Sequence, residues 1–99
     1  MAVITYIGIK DLEDTDVGTI KGLSKREAGK IDYLLPDAAI KFHLKVLNSG
    51  GNNATYNIKL NAVSKKGIFK VEAEDWDLNK VIHMAFSELS NLIKHKLKL

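Results

Sequence analysis

Residues 40–46 read Ile40-Lys41-Phe42-His43-Leu44-Lys45-Val46, with apolar and polar side chains in strict alternation. A period of two sends every second side chain to the same face of a β-strand, so this stretch predicts a strand with one buried and one wetted face. Two later runs repeat the pattern. Tyr56, Ile58, Leu60 and Ala62 alternate with Asn57, Lys59 and Asn61, and Phe69, Val71 and Ala73 alternate with Lys70 and Glu72. Asn48-Ser-Gly-Gly-Asn-Asn53 lies between the first two runs and Ser64-Lys-Lys-Gly67 between the last two. Both are turn signals, because glycine takes positive φ without steric cost. Three alternating runs joined by short turns predict an antiparallel meander over residues 39–74.

The flanks read as helix and strand. Downstream, Leu78, Val81, Ile82, Ala85, Leu89, Leu92 and Ile93 recur at spacings of three, four and seven, the apolar stripe of an amphipathic helix over 76–97. Asp75 and Asp77 offer N-caps. Lys94, His95, Lys96 and Lys98 crowd the far end, where cations complement the negative end of a helix dipole. Upstream, Val3 to Ile9 is rich in β-branched residues and predicts a strand. The acidic stretch 11–16 has no apolar face and predicts a loop. Ser24-Lys-Arg-Glu27 has the form of a capping box. Ala28, Ile31, Leu34 and Leu35 follow at helical spacing, and Pro36 ends the run. Gly29 inside it costs ~1 kcal/mol relative to alanine, so the first helix, over 24–35, is expected to be short. The order β-α-β-β-β-α predicts an α+β fold in one domain over 1–99. Its architecture is a two-layer sandwich, a four-stranded and mostly antiparallel sheet with both helices on one face.

Composition excludes several classes. Ninety-nine residues match one domain, and 45% apolar with 27% charged residues is ordinary globular usage. No apolar stretch reaches the ~18–20 residues that cross a membrane, and no basic region precedes an apolar run at the N-terminus. Without cysteine there is no disulfide framework, thiolate metal site or cysteine nucleophile, which suits a reducing cytoplasm. The expectation is a cytoplasmic protein with no membrane, cofactor, metal or small-molecule substrate. The net charge of +3 is unevenly spread: residues 1–37 hold five Lys/Arg against seven Asp/Glu, and residues 38–99 hold ten against five.

Catalytic patterns are sparse. His43 lies between Lys41 and Lys45 with no carboxylate nearby in sequence, and His83 shares a helix face with Ser87 but lacks a third, orienting group. Gly50-Gly51 is too short to cradle a phosphate, and Trp76 between two aspartates is expected to pack at the mouth of the core. The expectation is a protein that is not an enzyme. Basic residues form a better pattern: Lys25, Arg26 and Lys30 on the first helix, Lys65 and Lys66 at a hairpin, and Lys94, His95 and Lys98 at the end of the second helix. Each group alone is ordinary solvated surface. Side by side on one sheet face, the two helices can merge their cations into a strip that neutralises phosphates. The open sheet face, with Lys41, His43, Lys45, Asn57, Lys59, Asn61, Lys70 and Glu72, is polar and mainly basic. It lacks the aromatic platform of an RNA-recognition motif.

Residues 69–96, from Phe69-Lys-Val-Glu-Ala-Glu-Asp-Trp-Asp-Leu through Val81-Ile-His-Met-Ala to Leu92-Ile-Lys-His-Lys96, resemble the hibernation-promoting factor family of ribosome-associated proteins. The meander and the step Leu34-Leu-Pro-Asp-Ala-Ala-Ile-Lys41 fit the same family, so the resemblance covers residues 38–98, with 1–37 fitting by element order. It implies a domain with both helices on one sheet face that binds small-subunit rRNA near the decoding centre. There it would overlap the mRNA and tRNA paths and silence translation in starved cells. It also implies that Lys25, Arg26, Lys30, Lys94, His95 and Lys98 contact rRNA, with Lys65 and Lys66 beside them. Two other readings stay open. One is a protein-interaction or self-assembling module, such as a homodimer, that uses the sheet edge or open face. The other is a small enzyme using His83 or His43.

Overall fold

The structure, a computed structural model, describes residues 3–10, 12–48 and 54–98. Its elements follow the expected order: β1 (Val3–Ile7), α1 (Asp14–Leu34), β2 (Ala39–Asn48), β3 (Ala54–Ser64), β4 (Gly67–Asp75) and α2 (Leu78–Leu97). The turn expected over 49–53 lies outside the described residues. The strands form one sheet in the order β1-β2-β3-β4. β1 runs parallel to β2, with Val3 opposite Ala39 and Ile7 opposite His43. The other two pairs are antiparallel, with Ala39 opposite Val63 in one and Ser64 opposite Gly67 in the other.

The alternation sorts the sheet's two faces. Ile40, Phe42, Leu44, Ile58, Leu60, Ala62, Phe69 and Ala73 are buried under the helices. Lys41, His43, Lys45, Lys59, Lys70 and Glu72 are exposed on the opposite face. Asn57 is buried on that polar face and donates to the Glu72 carboxylate at 2.8 Å. Ile20, Ala28 and Ile31 of α1 and Val81, Ile82, Ala85, Phe86, Leu89 and Ile93 of α2 close the core. The Phe42 ring sits at the seam, with centroids 5.6 Å from Tyr6 and 6.3 Å from Phe86. Each such fully buried apolar side chain contributes roughly 1.5–3 kcal/mol. At the start of α2, Asp77 is the N-cap and its carboxylate accepts from the Lys80 N–H at 3.2 Å.

Three expectations are corrected. The first helix starts at Asp14, not at residue 24, so the second half of the acidic stretch, residues 14–16, is helix and not loop. Asp14 and Asp16 occupy its first turn, where negative charge is favoured by the positive end of the helix dipole. The capping box does not form. Ser24 is fully buried inside the helix, and its hydroxyl lies 2.6 Å from the Tyr6 hydroxyl and donates to the Lys21 carbonyl at 3.3 Å. Trp76 does not close the core and is 75% exposed. The β4 alternation carried one residue further puts position 76 on the open face, with Lys70 and Glu72, and the Asp75 carboxylate closes the turn by accepting the Asp77 N–H at 3.1 Å.

At one described position both the backbone angle and the surrounding space demand glycine. Gly8, just past β1, has φ +87°, and a Cβ there would collide with the Leu44 carbonyl oxygen of β2. Gly8→Ala is therefore expected to destabilise the fold by about 1–3 kcal/mol through backbone strain, with additional cost from the clash. The check is a lower denaturant midpoint at unchanged slope.

Candidate nucleic-acid interface

Strand directions fix where the helices end. A parallel neighbour cannot be reached by a hairpin, so the chain must cross back between β1 and β2, and α1 makes that return. β4 again runs with β2, and α2 returns after it. Both helices therefore run against β2, side by side and in the same direction, with their C-termini at the end of the sheet that holds the β3–β4 turn. Two contacts mark that end. The Asp37 carboxylate accepts the Lys65 backbone N–H at 2.8 Å, and the Lys96 ammonium lies 5.8 Å from the centroid of the Phe69 ring. Two negative dipole ends meet there, and Lys94, His95 and Lys96 in the last turn of α2 complement one of them.

An open groove of about 540 Å³ runs between the helices, lined by Arg26, Lys30, Tyr33 and Leu34 of α1 and by Ser90 and Lys94 of α2. A smaller cleft of about 190 Å³ involves Glu27, Ser87 and Asn91 as well as Lys30, Ser90 and Lys94. The spacings explain the convergence: 26, 30 and 33 share one face of α1, and 87, 90 and 94 share one face of α2. Of the eight basic residues singled out from the sequence, Arg26, Lys30 and Lys94 are brought together. Arg26 and Lys94 have no ion pair among the described residues. Lys30 lies 2.9 Å from the buried Glu27 carboxylate, so its charge is partly met.

The other five stand outside the groove. Lys25 is exposed but sits about 100° around the helix from Arg26, and His95 is displaced likewise from Lys94. Lys98 follows Lys94 by one turn, as the left-handed C-cap with φ 57°. Lys65 and Lys66 are exposed on the β3–β4 turn beside Asp37. The Lys65 N–H holds the Asp37 carboxyl below its ordinary value, so that corner carries an acid with its lysines.

The sequence reading missed Glu27, Tyr33, Ser90 and Asn91 as parts of this groove. Glu27 was expected to close a capping box and instead ties the helices, 2.6 Å from the His83 Nδ1. It is the orienting carboxylate that His83 lacked in sequence, supplied from the other helix. Tyr33 was accessible to pattern reading, since it lies three residues after Lys30 and seven after Arg26. Among the described residues no group of three or more His, Asp or Glu is placed to hold a metal ion, and no helix is long and apolar enough to cross a membrane.

The architecture is similar to that of the Thermus thermophilus Protein Y N-terminal domain. The TM-score is 0.67 at 17% identity, covering 97% of this chain and 99% of that one. A ribosomal subunit interface protein from Coxiella burnetii matches with a TM-score of 0.65 at 16% identity, covering 98% and 99%. The chain shares their fold. The fold implied by the resemblance to hibernation-promoting factors is thus the fold found, including the mixed, mostly antiparallel sheet. No family model and no curated protein matches the sequence.

Glu27 makes the helix pairing sensitive to acid. Burial pushes its carboxyl up, but hydrogen bonds and positive charge from Lys30 and His83 outweigh that and hold it below its ordinary value of 4.5. The folded carboxyl therefore takes up a proton less readily than the unfolded one. Its contribution to stability is complete above that ordinary value and is lost as the pH falls through the lowered folded value. Glu27→Gln should flatten this acid limb of the stability profile, as measured by denaturant titrations between pH 3 and 6. Glu27→Ala, which strips both partners of a buried acceptor, should cost about 1–3 kcal/mol at neutral pH.

Proposed function

We propose that this chain is a non-enzymatic, cytoplasmic ribosome-associated protein. It binds small-subunit rRNA and inhibits or stores ribosomes by occupying the mRNA and tRNA path. The observation that carries this reading is the convergence of Arg26, Lys30 and Lys94 on one groove between parallel helices. The fold it shares with a protein described as a ribosomal subunit interface protein supports it. Phosphates approaching the groove meet a net cationic surface, and the released counterions drive binding without sequence preference. Lys25, His95, Lys98, Lys65 and Lys66 extend that surface in the proposal. The acidic stretch does not oppose it. Asp14 and Asp16 lie at the other end of α1, and the ten residues from Asp16 to Arg26 span roughly 15 Å of helix, beyond the ~8 Å screening length at physiological salt.

A second reading is favoured by a separate observation on the open sheet face. Val3, Ala39, Val63 and Ile68 lie in one row across all four strands, and the first, third and fourth are 64%, 42% and 57% exposed. An apolar row of this kind suits a protein partner or a second copy of the chain.

Co-sedimentation with purified small subunits separates the readings. The wild-type chain should pellet with subunits at low salt and be released as salt rises. Three phosphate contacts imply a slope of roughly −2 to −3 in log K against log salt. Arg26→Glu with Lys94→Glu, and Lys94→Glu with Lys98→Glu, should abolish pelleting. Undiminished pelleting of both double variants removes the rRNA reading. Salt-tolerant, concentration-dependent self-association, abolished by Val63→Lys, would support the second.

A further inference from the structure

Tyr33 has 90% of its surface exposed, the highest fraction among the exposed large hydrophobic side chains described. Its ring takes no part in the aromatic contacts of the core, which join Tyr6, Phe42 and Phe86. The cation–π contacts fall on Tyr6 and Phe69 instead. Among the described residues, no aromatic or cation–π contact ties this ring to the fold. Trp76 is also exposed, but it sits between Asp75 and Asp77, whose charge repels phosphate. Tyr33 stands on the last turn of α1, about 100° around the helix from its neighbour Asp32, on the face it shares with Arg26 and Lys30 and across the groove from Lys94.

An exposed aromatic ring flanked by cations, of which Arg26 and Lys94 have no ion pair among the described residues and Lys30 is partly met by Glu27, is complementary to one kind of ligand. A nucleotide in a single strand presents a flat base for stacking and a charged phosphate on either side. In a duplex the bases are already paired and stacked, and no π-face is free. The groove's other groups suit the same ligand. Leu34 is half-buried and offers apolar contact to a ribose or base edge, while the Ser90 hydroxyl, which lines the opposite wall, is able both to donate and to accept. A volume of about 540 Å³ falls in the ~300–1,000 Å³ range of sites that hold one small molecule. The geometry points to Tyr33 as a platform on which one unpaired nucleobase stacks, with Arg26, Lys30 and Lys94 taking the adjoining phosphates. The ligand class is single-stranded RNA. This inference rests on the RNA-binding reading above and adds to it a preference for unpaired bases.

Fluorescence anisotropy with three labelled probes tests it: single-stranded oligoadenosine, an RNA duplex with the same number of phosphates, and an abasic ribose-phosphate strand of equal length. Tyr33→Ala should weaken oligoadenosine binding roughly tenfold, in line with measured base–aromatic stacking. It should leave binding of the duplex and abasic probes, the salt slope and the denaturation midpoint unchanged. Tyr33→Trp, placed in a Trp76→Phe background, should keep oligoadenosine affinity, and its indole emission should be quenched on binding. The proposal is overturned if Tyr33→Ala binds oligoadenosine like the wild type while Arg26→Glu with Lys94→Glu loses it; phosphate binding then stands without stacking. If the charge reversal also changes nothing, both readings fall together.

Discussion

The parallel pairing of β1 with β2 is the constraint on which the rest of the structure depends. A hairpin can join antiparallel neighbours but not parallel ones, so residues 8–38 must carry the chain back along the sheet. That return lays α1 on the buried face, pointing the same way as α2. The two helices then share a long seam, and their C-terminal dipole ends lie at one end of the molecule. Had β1 paired antiparallel through a short turn, Arg26, Lys30 and Lys94 would not have a groove in common. Gly8 protects this arrangement locally, because only a residue without Cβ lets the chain leave β1 so close to the Leu44 carbonyl.

Charge follows the same geometry and not the order of the sequence. Counted along the chain, the first 37 residues are acidic and the remainder basic. In space the division is between the two ends of the helices. Asp14 and Asp16 sit at the positive end of the α1 dipole, and Lys94, His95 and Lys96 sit at the negative end of α2. Arg26 and Lys30, which belong to the acidic part of the sequence, join Lys94 from the basic part. The aspartates in the first turn of α1 and the cations in the last turn of α2 are each favourably placed at ~0.3–1 kcal/mol.

The strands were legible because a period of two survives on a sheet with one wetted face, and Lys41, His43 and Lys45 mark that face as clearly as Phe42 and Leu44 mark the core. The α2 stripe was legible for the same reason at helical period. Residues 14–23 of α1 were not, since Ile20 is the one fully buried position among them, and Ser24 and Glu27, inward but polar, read as a cap and not as a continuing stripe. They are buried only because partners arrive from other elements: the Tyr6 hydroxyl for Ser24, and His83 for Glu27. Such pairings are separated by 18 and 56 residues, and no local rule reports them. The groove was half legible. Helical spacing grouped Arg26 with Lys30 and Lys94 with Lys98, but which faces meet depends on the crossing of the helices. Lys25 was excluded by that crossing alone.

Glu27 is the one acid in this cationic groove, and its position bears on how the groove works. As a bare charge it subtracts from the attraction for phosphate. As a buried acceptor it holds the Lys30 ammonium at 2.9 Å on the groove wall and fixes α1 against α2 through His83. A free lysine gives up ~1.5–2 kcal/mol of rotamer entropy when it is immobilised, and part of that ordering is already complete in the unbound protein. Preorganisation of this kind recovers affinity by lowering the cost of association and not by adding attraction. Arg26 and Lys94, unpaired among the described residues, remain the main source of long-range attraction. The groove thus divides the work between two cations without an ion pair among the described residues, which draw a polyanion in, and one positioned cation that sets where it rests.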